Sequence, residues 1–135
     1  MQPRKVLAVD DSKLMLQMYQ LMLRQYPLAV ASDGREALSR LAEHPDIDLV
    51  LLDINMPVMN GEVFARTLRG REDLDDVRVL VVTAEHSPFR HARLRQIGVD
   101  WILTKPFFAD HLLDAIRRCL PSAEVRDAGD GKLAA

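Results

Sequence analysis

Five short, uninterrupted apolar runs constrain this chain more than any other feature: Val6 to Val9, Leu28 to Ala31, Leu49 to Leu52, Val79 to Val82 and Trp101 to Leu103. Runs of that length without polar alternation read as strands buried on both faces. Between them lie segments with helical spacing, such as Leu14, Met18, Leu21 and Met22, then Ala37, Leu38 and Leu41, then Leu112, Leu113, Ile116 and Leu120. Helix starts are signalled by Asp11 or Ser12, Asp33, Asn60, Ser87 and Asp110, and Gly98 reads as a helix stop. Strand and helix alternate five times. Parallel strands need crossover helices, so the pattern predicts an α/β domain with a parallel sheet covered on both faces.

In an open α/β sheet the functional crevice lies beyond the carboxyl ends of the strands. The residues that follow the apolar runs are Asp10 and Asp11 after the first, Asp53 after the third, Thr83 after the fourth and Lys105 after the fifth. Three acids, a hydroxyl and an amine thus converge on one edge. Crowded carboxylates repel, so such a cluster needs a cation between its members or raised pKa values. An oxygen-only site with open positions suits Mg²⁺, which keeps several waters and works beside phosphate oxygens. Each residue alone has a duller reading: Asp11 or Ser12 as a cap, Thr83 as a strand residue, Lys105 as a surface charge. Their joint placement at the ends of four strands is what argues for a site.

The motifs Val9-Asp10-Asp11-Ser12, Asp53-Ile54-Asn55-Met56-Pro57-Val58-Met59-Asn60-Gly61, Val82-Thr83-Ala84 and Thr104-Lys105-Pro106-Phe107 occur in that order. Through them the chain resembles the receiver domain of two-component response regulators over Arg4 to Leu120. The resemblance implies a flavodoxin-like three-layer fold with five parallel strands in order 2-1-3-4-5 and five helices. It implies that Asp53 accepts a phosphoryl group from a phosphohistidine, that Asp10, Asp11, Asp53 and the Asn55 backbone carbonyl hold Mg²⁺ or Mn²⁺, and that Lys105, after a cis bond to Pro106, adds positive charge. Thr83 is then the switch, turning toward the phosphoryl group and altering the face of the fourth helix, fifth strand and fifth helix for partner binding. Asn55 and Glu85 flank the path of a hydrolytic water and are expected to set the lifetime of the phosphorylated state.

The chain departs from that family at three places. The inward-swinging aromatic three residues before the lysine is replaced by Ile102, while Trp101, one place earlier, points to the opposite face of its strand. Either Ile102 takes part in the switch through a smaller packing change, or Trp101 is a contact residue at the rim; the plainer reading makes Trp101 partial core. The segment Phe89 to Gln96 carries Arg90, His91, Arg93 and Arg95 with no acid between them, and Asp100 is followed by Trp101 instead of a second acid. That disfavours a symmetric dimer through this helix and favours an acidic partner or an ordinary solvated face. The first helix is apolar over more than half its circumference, because Leu16, Tyr19 and Leu23 widen the stripe. Either it packs on the last helix or its surplus face docks the phosphohistidine-bearing partner.

Composition narrows the function. Eighteen Lys and Arg against 20 Asp and Glu give a net charge of −2 over 135 residues, without the basic excess that phosphate tracking needs, so no direct nucleic-acid role is expected. The single cysteine, Cys119, excludes an internal disulfide and reads as core. No apolar run approaches the roughly 20 residues of a membrane span, which makes a cytoplasmic protein without membrane attachment the expectation. One domain over 4–120 is followed by a polar stretch, 121–135, expected to be a flexible tail whose last residues look vector-derived. The expected protein is a phosphoacceptor signalling domain and no enzyme toward outside substrates. Its expected partners are a sensor histidine kinase or histidine phosphotransfer protein upstream and a downstream protein or fused output domain, with the receiver a monomer or weak dimer. A phosphohydrolase of the haloacid-dehalogenase type also uses an aspartyl phosphate and Mg²⁺. Those enzymes carry an Asp-x-Asp motif, whereas Asp10 and Asp11 are adjacent here. A flavodoxin-like electron carrier lacks support because no Gly/Ser/Thr-rich phosphate loop follows the first strand.

Overall fold

Strand residues divide by parity. Val6, Ala8, Leu49, Leu51, Leu80 and Val82 face one way, and Leu7, Val9, Val50, Leu52, Val79 and Val81 face the other. All twelve are at most 1% exposed. Such a strand has no solvent face, which is why the runs read as continuous apolar sequence.

A computed structural model describes residues 4–55 and 59–120. The expected tail over 121–135 and the motif residues Met56, Pro57 and Val58 lie outside the described residues. The elements are β1 (Lys5–Val9), α1 (Lys13–Met22), β2 (Leu28–Ala31), α2 (Gly34–Glu43), β3 (Ile47–Leu52), α3 (Gly61–Arg69), β4 (Arg78–Thr83), α4 (Pro88–Ile97), β5 (Trp101–Thr104) and α5 (Ala109–Cys119). A 3₁₀ turn at Glu72–Leu74, which carries no apolar period of its own, precedes β4. All pairings are parallel and the strand order is β2-β1-β3-β4-β5. The flavodoxin-like architecture expected from the motifs is the one observed.

Helices α1 and α5 cover one face, placing Tyr19, Leu23, Leu112 and Ile116 against the first strand set. Helices α2, α3 and α4 cover the other with Ala37, Leu41, Phe64, Leu68 and Leu94. Burying a Leu or Phe side chain contributes about 1.5–3 kcal/mol, so these two layers hold the fold. Cys119 belongs to the α1/α5 layer, and burial pushes its thiol up to about 12. It is an inert packing residue.

Four of the five expected helix starts are capped as read. Ser12 Oγ accepts from the Met15 amide, Asp33 Oδ1 from Glu36, Asn60 Oδ1 from Val63 and Ser87 Oγ from Arg90, at 2.8 to 3.3 Å. The choice between Asp11 and Ser12 falls on Ser12, which leaves Asp11 for the crevice. The fifth expectation needs correction: Phe108 precedes α5, its amide donates to His111 Nδ1 at 3.2 Å, and Asp110 lies in the first turn. There its charge still favours the helix N-terminus. Gly98 stops α4 with φ of 115°, the left-handed region that a side chain resists.

The first helix also corrects its reading. Leu14 and Leu21 are 67% and 65% exposed and Met18 is 43% exposed, while Tyr19 and Leu23 are each 1% exposed. Met15, Leu16 and Met22 pack against the same layer. A helix apolar over most of its surface does not announce which side is inward; the Tyr19/Leu23 side joins the layer shared with α5, and Leu14, Met18 and Leu21 of the initial stripe are left outside.

Candidate functional site

Register builds the crevice. Val9 pairs with Leu52, so the residues after them, Asp10 and Asp53, emerge side by side from adjacent strands. The Asp53 amide donates to Val9 O at 3.0 Å and the Asp10 amide to Ala31 O at 3.1 Å, extending both strands to the carboxylates. Thr83 closes β4 opposite Thr104, and the Lys105 amide donates to Thr83 O at 2.8 Å. The bond between Lys105 and Pro106 is cis. All five residues expected at this edge are there.

The acids form one cluster, with carboxylate oxygens of Asp10, Asp11 and Asp53 all within 4.8 Å of one another. Asp10 is buried, Asp53 half-buried and Asp11 exposed. One Asp10 oxygen accepts the Ser12 amide at 2.9 Å. The other, Oδ2, lies 3.5 Å from Lys105 Nζ, close enough for ion pairing but long for a hydrogen bond, and it has no hydrogen-bond partner. A buried oxygen left in that condition is costly unless something else binds it. Burial, and next the Asp10 charge, push the Asp53 carboxyl up to about 6, against the pull of Lys105 and the Asn55 amide. That amide reaches Asp53 Oδ1 at 3.4 Å. An oxygen-only set of three carboxylates, one with an orphan oxygen, is the donor chemistry a small hard cation takes. The phenol of Tyr19 lies in the same field: burial, then Asp10 and Asp53, push its pKa upward, so it stays protonated.

The glycine of the third-strand motif has a mechanical role. The Gly61 amide donates to Ile54 O at 2.9 Å, and a Cβ there would meet Ile54 Cα at 2.7 Å as well as the carbonyl oxygen of Asp53. Because both obstacles are backbone, Gly61→Ala must displace the segment that carries Asp53. We expect a loss of about 1–3 kcal/mol in urea unfolding. A loss below about 0.5 kcal/mol, the range of ordinary surface changes, would show that the segment gives way freely.

Three expectations about the surroundings are sharpened. Ile102 packs toward the α2/α3/α4 layer and Leu103 toward the α1/α5 layer. Trp101 is 42% exposed, with the Arg118 guanidinium of α5 stacked 4.9 Å from its ring centroid. It is a rim residue and no part of either buried layer. The arginines of α4 are not free of acids, as their own segment implied: Arg93 pairs with Glu62 of α3 at 2.9 Å, and Arg66 reaches the same oxygen at 3.4 Å. Arg90 lines a cavity with Ile54, Asn55, Asn60, Glu62 and Val63.

Two features beside the site have no signal in the sequence. The amide of Glu85 donates to Thr83 Oγ1 at 3.0 Å, and His91 Nε2 meets the Glu85 carbonyl at 2.8 Å. Both are set by the path of a short loop, which residue type alone does not reveal.

A doubly covered parallel sheet with acids, a hydroxyl and an amine gathered at the carboxyl ends of β1, β3, β4 and β5 defines a flavodoxin-like domain with a cation-ready crevice. The family model of the response regulator receiver domain matches residues 6–117, and the chain belongs to that family. It is similar to protein PilG of Pseudomonas aeruginosa, with 32% identity over 127 residues, 92% of this chain and 93% of that protein. It is also similar to response regulator MprA of Mycolicibacterium vanbaalenii, 36% identical over 98% of this chain but only 57% of that protein, so it spans little more than half of that relative. Among solved structures, chemotaxis protein CheY4 of Vibrio cholerae superposes with a TM-score of 0.82 at 35% identity, covering 87% of this chain and 99% of that one. Among the described residues no helix is long and apolar enough to cross a membrane.

Proposed function

We propose that this domain is a phosphorylation-switched receiver of a phosphorelay. Asp53 takes the phosphoryl group from a sensor histidine kinase or histidine phosphotransfer protein, and the changed surface addresses a downstream protein or output domain. The observation that carries the reading is the juxtaposition of Asp53 with Asp10 and Asp11, in an oxygen-only cluster whose buried Asp10 Oδ2 has no hydrogen-bond partner and pairs with Lys105 at 3.5 Å. Asp10, Asp11, Asp53 and the Asn55 carbonyl are the residues that would hold Mg²⁺. When bound, the ion supplies positive charge to the equatorial oxygens of the group in transfer.

The chain's own residues do the rest. Asp53 offers a carboxylate oxygen at the mouth of the crevice; in-line transfer forms its bond to phosphorus as the bond to the donor nitrogen breaks, and asks for positioning more than for acid-base work. Lys105, held toward Asp10 across the site, brings an ammonium to the charge that arrives. Thr83, wholly buried, directs its hydroxyl proton to a phosphoryl oxygen, and the loop after it follows. Exposed Leu14, Met18 and Leu21 on α1 form an apolar shoulder for the donor, whereas Leu23 is core and no test of docking. The phosphohydrolase alternative gains nothing from this geometry, because adjacent Asp10 and Asp11 do not reproduce the two-apart arrangement it needs.

Incubation with acetyl phosphate and Mg²⁺ should add one phosphoryl group per chain by intact mass, and chelation by EDTA should prevent it. No added mass in the presence of Mg²⁺ would remove the proposal. Asn55 and Glu85 border the approach to Asp53, so substitutions there should change the dephosphorylation rate by about threefold or more, the scale of one hydrogen bond to an attacking water. Unchanged decay of the phosphorylated form in both variants sinks that assignment.

A further inference from the structure

The loop between β4 and α4 is gripped through a single peptide unit pair. The amide of Glu85 is held by the hydroxyl of Thr83 and its carbonyl by the ring of His91, at 3.0 and 2.8 Å. A carbonyl can only accept, so His91 Nε2 carries the proton and donates. His91 is half-buried in the first turns of α4. That helix is fixed at its start by the Ser87 cap and at its middle by Leu94, 2% exposed in the core.

We infer that His91 is a positioning residue: its bond to the Glu85 carbonyl holds the β4–α4 loop in the resting arrangement and sets how readily Thr83 is released toward Asp53. The inference rests on the phosphoryl-switch reading above. In the resting form the Thr83 oxygen accepts the Glu85 amide. Turning that hydroxyl toward a phosphoryl group on Asp53 withdraws the acceptor, and the Glu85 peptide must move to find another. Its carbonyl is tied to a ring on an anchored helix, so the move breaks the His91 bond. An interaction present in one state and absent in the other shifts the equilibrium by its own strength. His91 therefore opposes switching in the unphosphorylated chain, and its effect reaches Asp53 only through Glu85 and Thr83.

The test compares phosphorylation rates with subsaturating acetyl phosphate and Mg²⁺, read by intact mass. His91→Phe keeps a ring and removes the donor; it should be phosphorylated about threefold to tenfold faster than wild type, the factor carried by one net hydrogen bond. His91→Leu repeats the removal with a side chain that suits a helix, and should match it. His91→Gln places an amide donor near the same carbonyl and should return the rate to within about twofold of wild type. In a Thr83→Ala background the His91→Phe change should have no further effect, because the coupled hydroxyl is gone. Rates of His91→Phe and His91→Leu at or below wild type overturn the inference, as does a His91→Gln rate equal to that of His91→Phe. A wild-type chain that takes up no phosphoryl group overturns the receiver reading and this inference with it, whereas labelled wild type with unresponsive variants removes the role of His91 alone.

Discussion

Asp53→Asn will take up no phosphoryl group under conditions that label the wild-type chain to completion. Asparagine has the same shape and fits between the Asn55 amide and the end of β3, so the fold is retained. What it lacks is the carboxylate oxygen that would form the acyl phosphate under the proposed function, and an amide offers no comparable nucleophile. The loss is expected to be complete, because Asp10, the other acid at a strand end, is buried and pairs with Lys105. The variant should also be the more stable of the two without metal, since it removes a carboxyl that burial and Asp10 have pushed up to about 6. Phosphoryl incorporation into Asp53→Asn equal to that of wild type would place the acceptor elsewhere.

The second large effect is on stability, where pH and magnesium act in opposite directions. Asp53 rises from an ordinary 3.8 to about 6 on folding, so between those values the native chain binds more protons than the unfolded chain. Its contribution is fully present below about pH 4 and is lost as pH rises through about 6, so metal-free protein loses stability across that window. The full shift corresponds to about 3 kcal/mol, and access of water to a half-buried group reduces this toward about 1–2 kcal/mol. Mg²⁺ competes with the proton for the same oxygens, so its stabilisation should be small near pH 5 and large near pH 7.5. Urea midpoints of wild type and Asp53→Asn at both pH values, with and without Mg²⁺, check the sign. Every other ionisable group is common to both proteins, so the difference between the two isolates Asp53. Parallel pH profiles for wild type and variant would show that Asp53 titrates normally.

Much of this molecule is readable from residue order because its parallel sheet is covered twice. A strand such as Leu49–Leu52 must be apolar throughout, and the first polar residue after it marks the crevice, which is how Asp10, Asp53 and Thr83 stand out, with Lys105 one place further on, after Thr104. What escapes is whatever depends on distance in space. Glu62 and Arg93 are 31 positions apart, and their pairing alters the charge of a face that looked wholly basic from its own segment. The start of α5 escapes because His111, and not Asp110, reaches back to the Phe108 amide. On α1, Leu14 and Tyr19 are equally plausible core residues until α5 occupies one side. The grip of His91 on Glu85 depends on a ring proton facing a carbonyl, and no spacing rule encodes that.

The parity of the strands has an evolutionary consequence. Neighbouring residues such as Val50 and Leu51 belong to different helix layers, so a substitution that repacks α1 and α5 leaves the contacts of α2, α3 and α4 almost untouched. The two sides share only the strand backbones and the crevice at their ends. A lineage can thus redraw the outer surface of one helix layer while that of the other drifts separately. Duplicated copies of such a domain can become insulated channels without passing through a form that has lost its central chemistry.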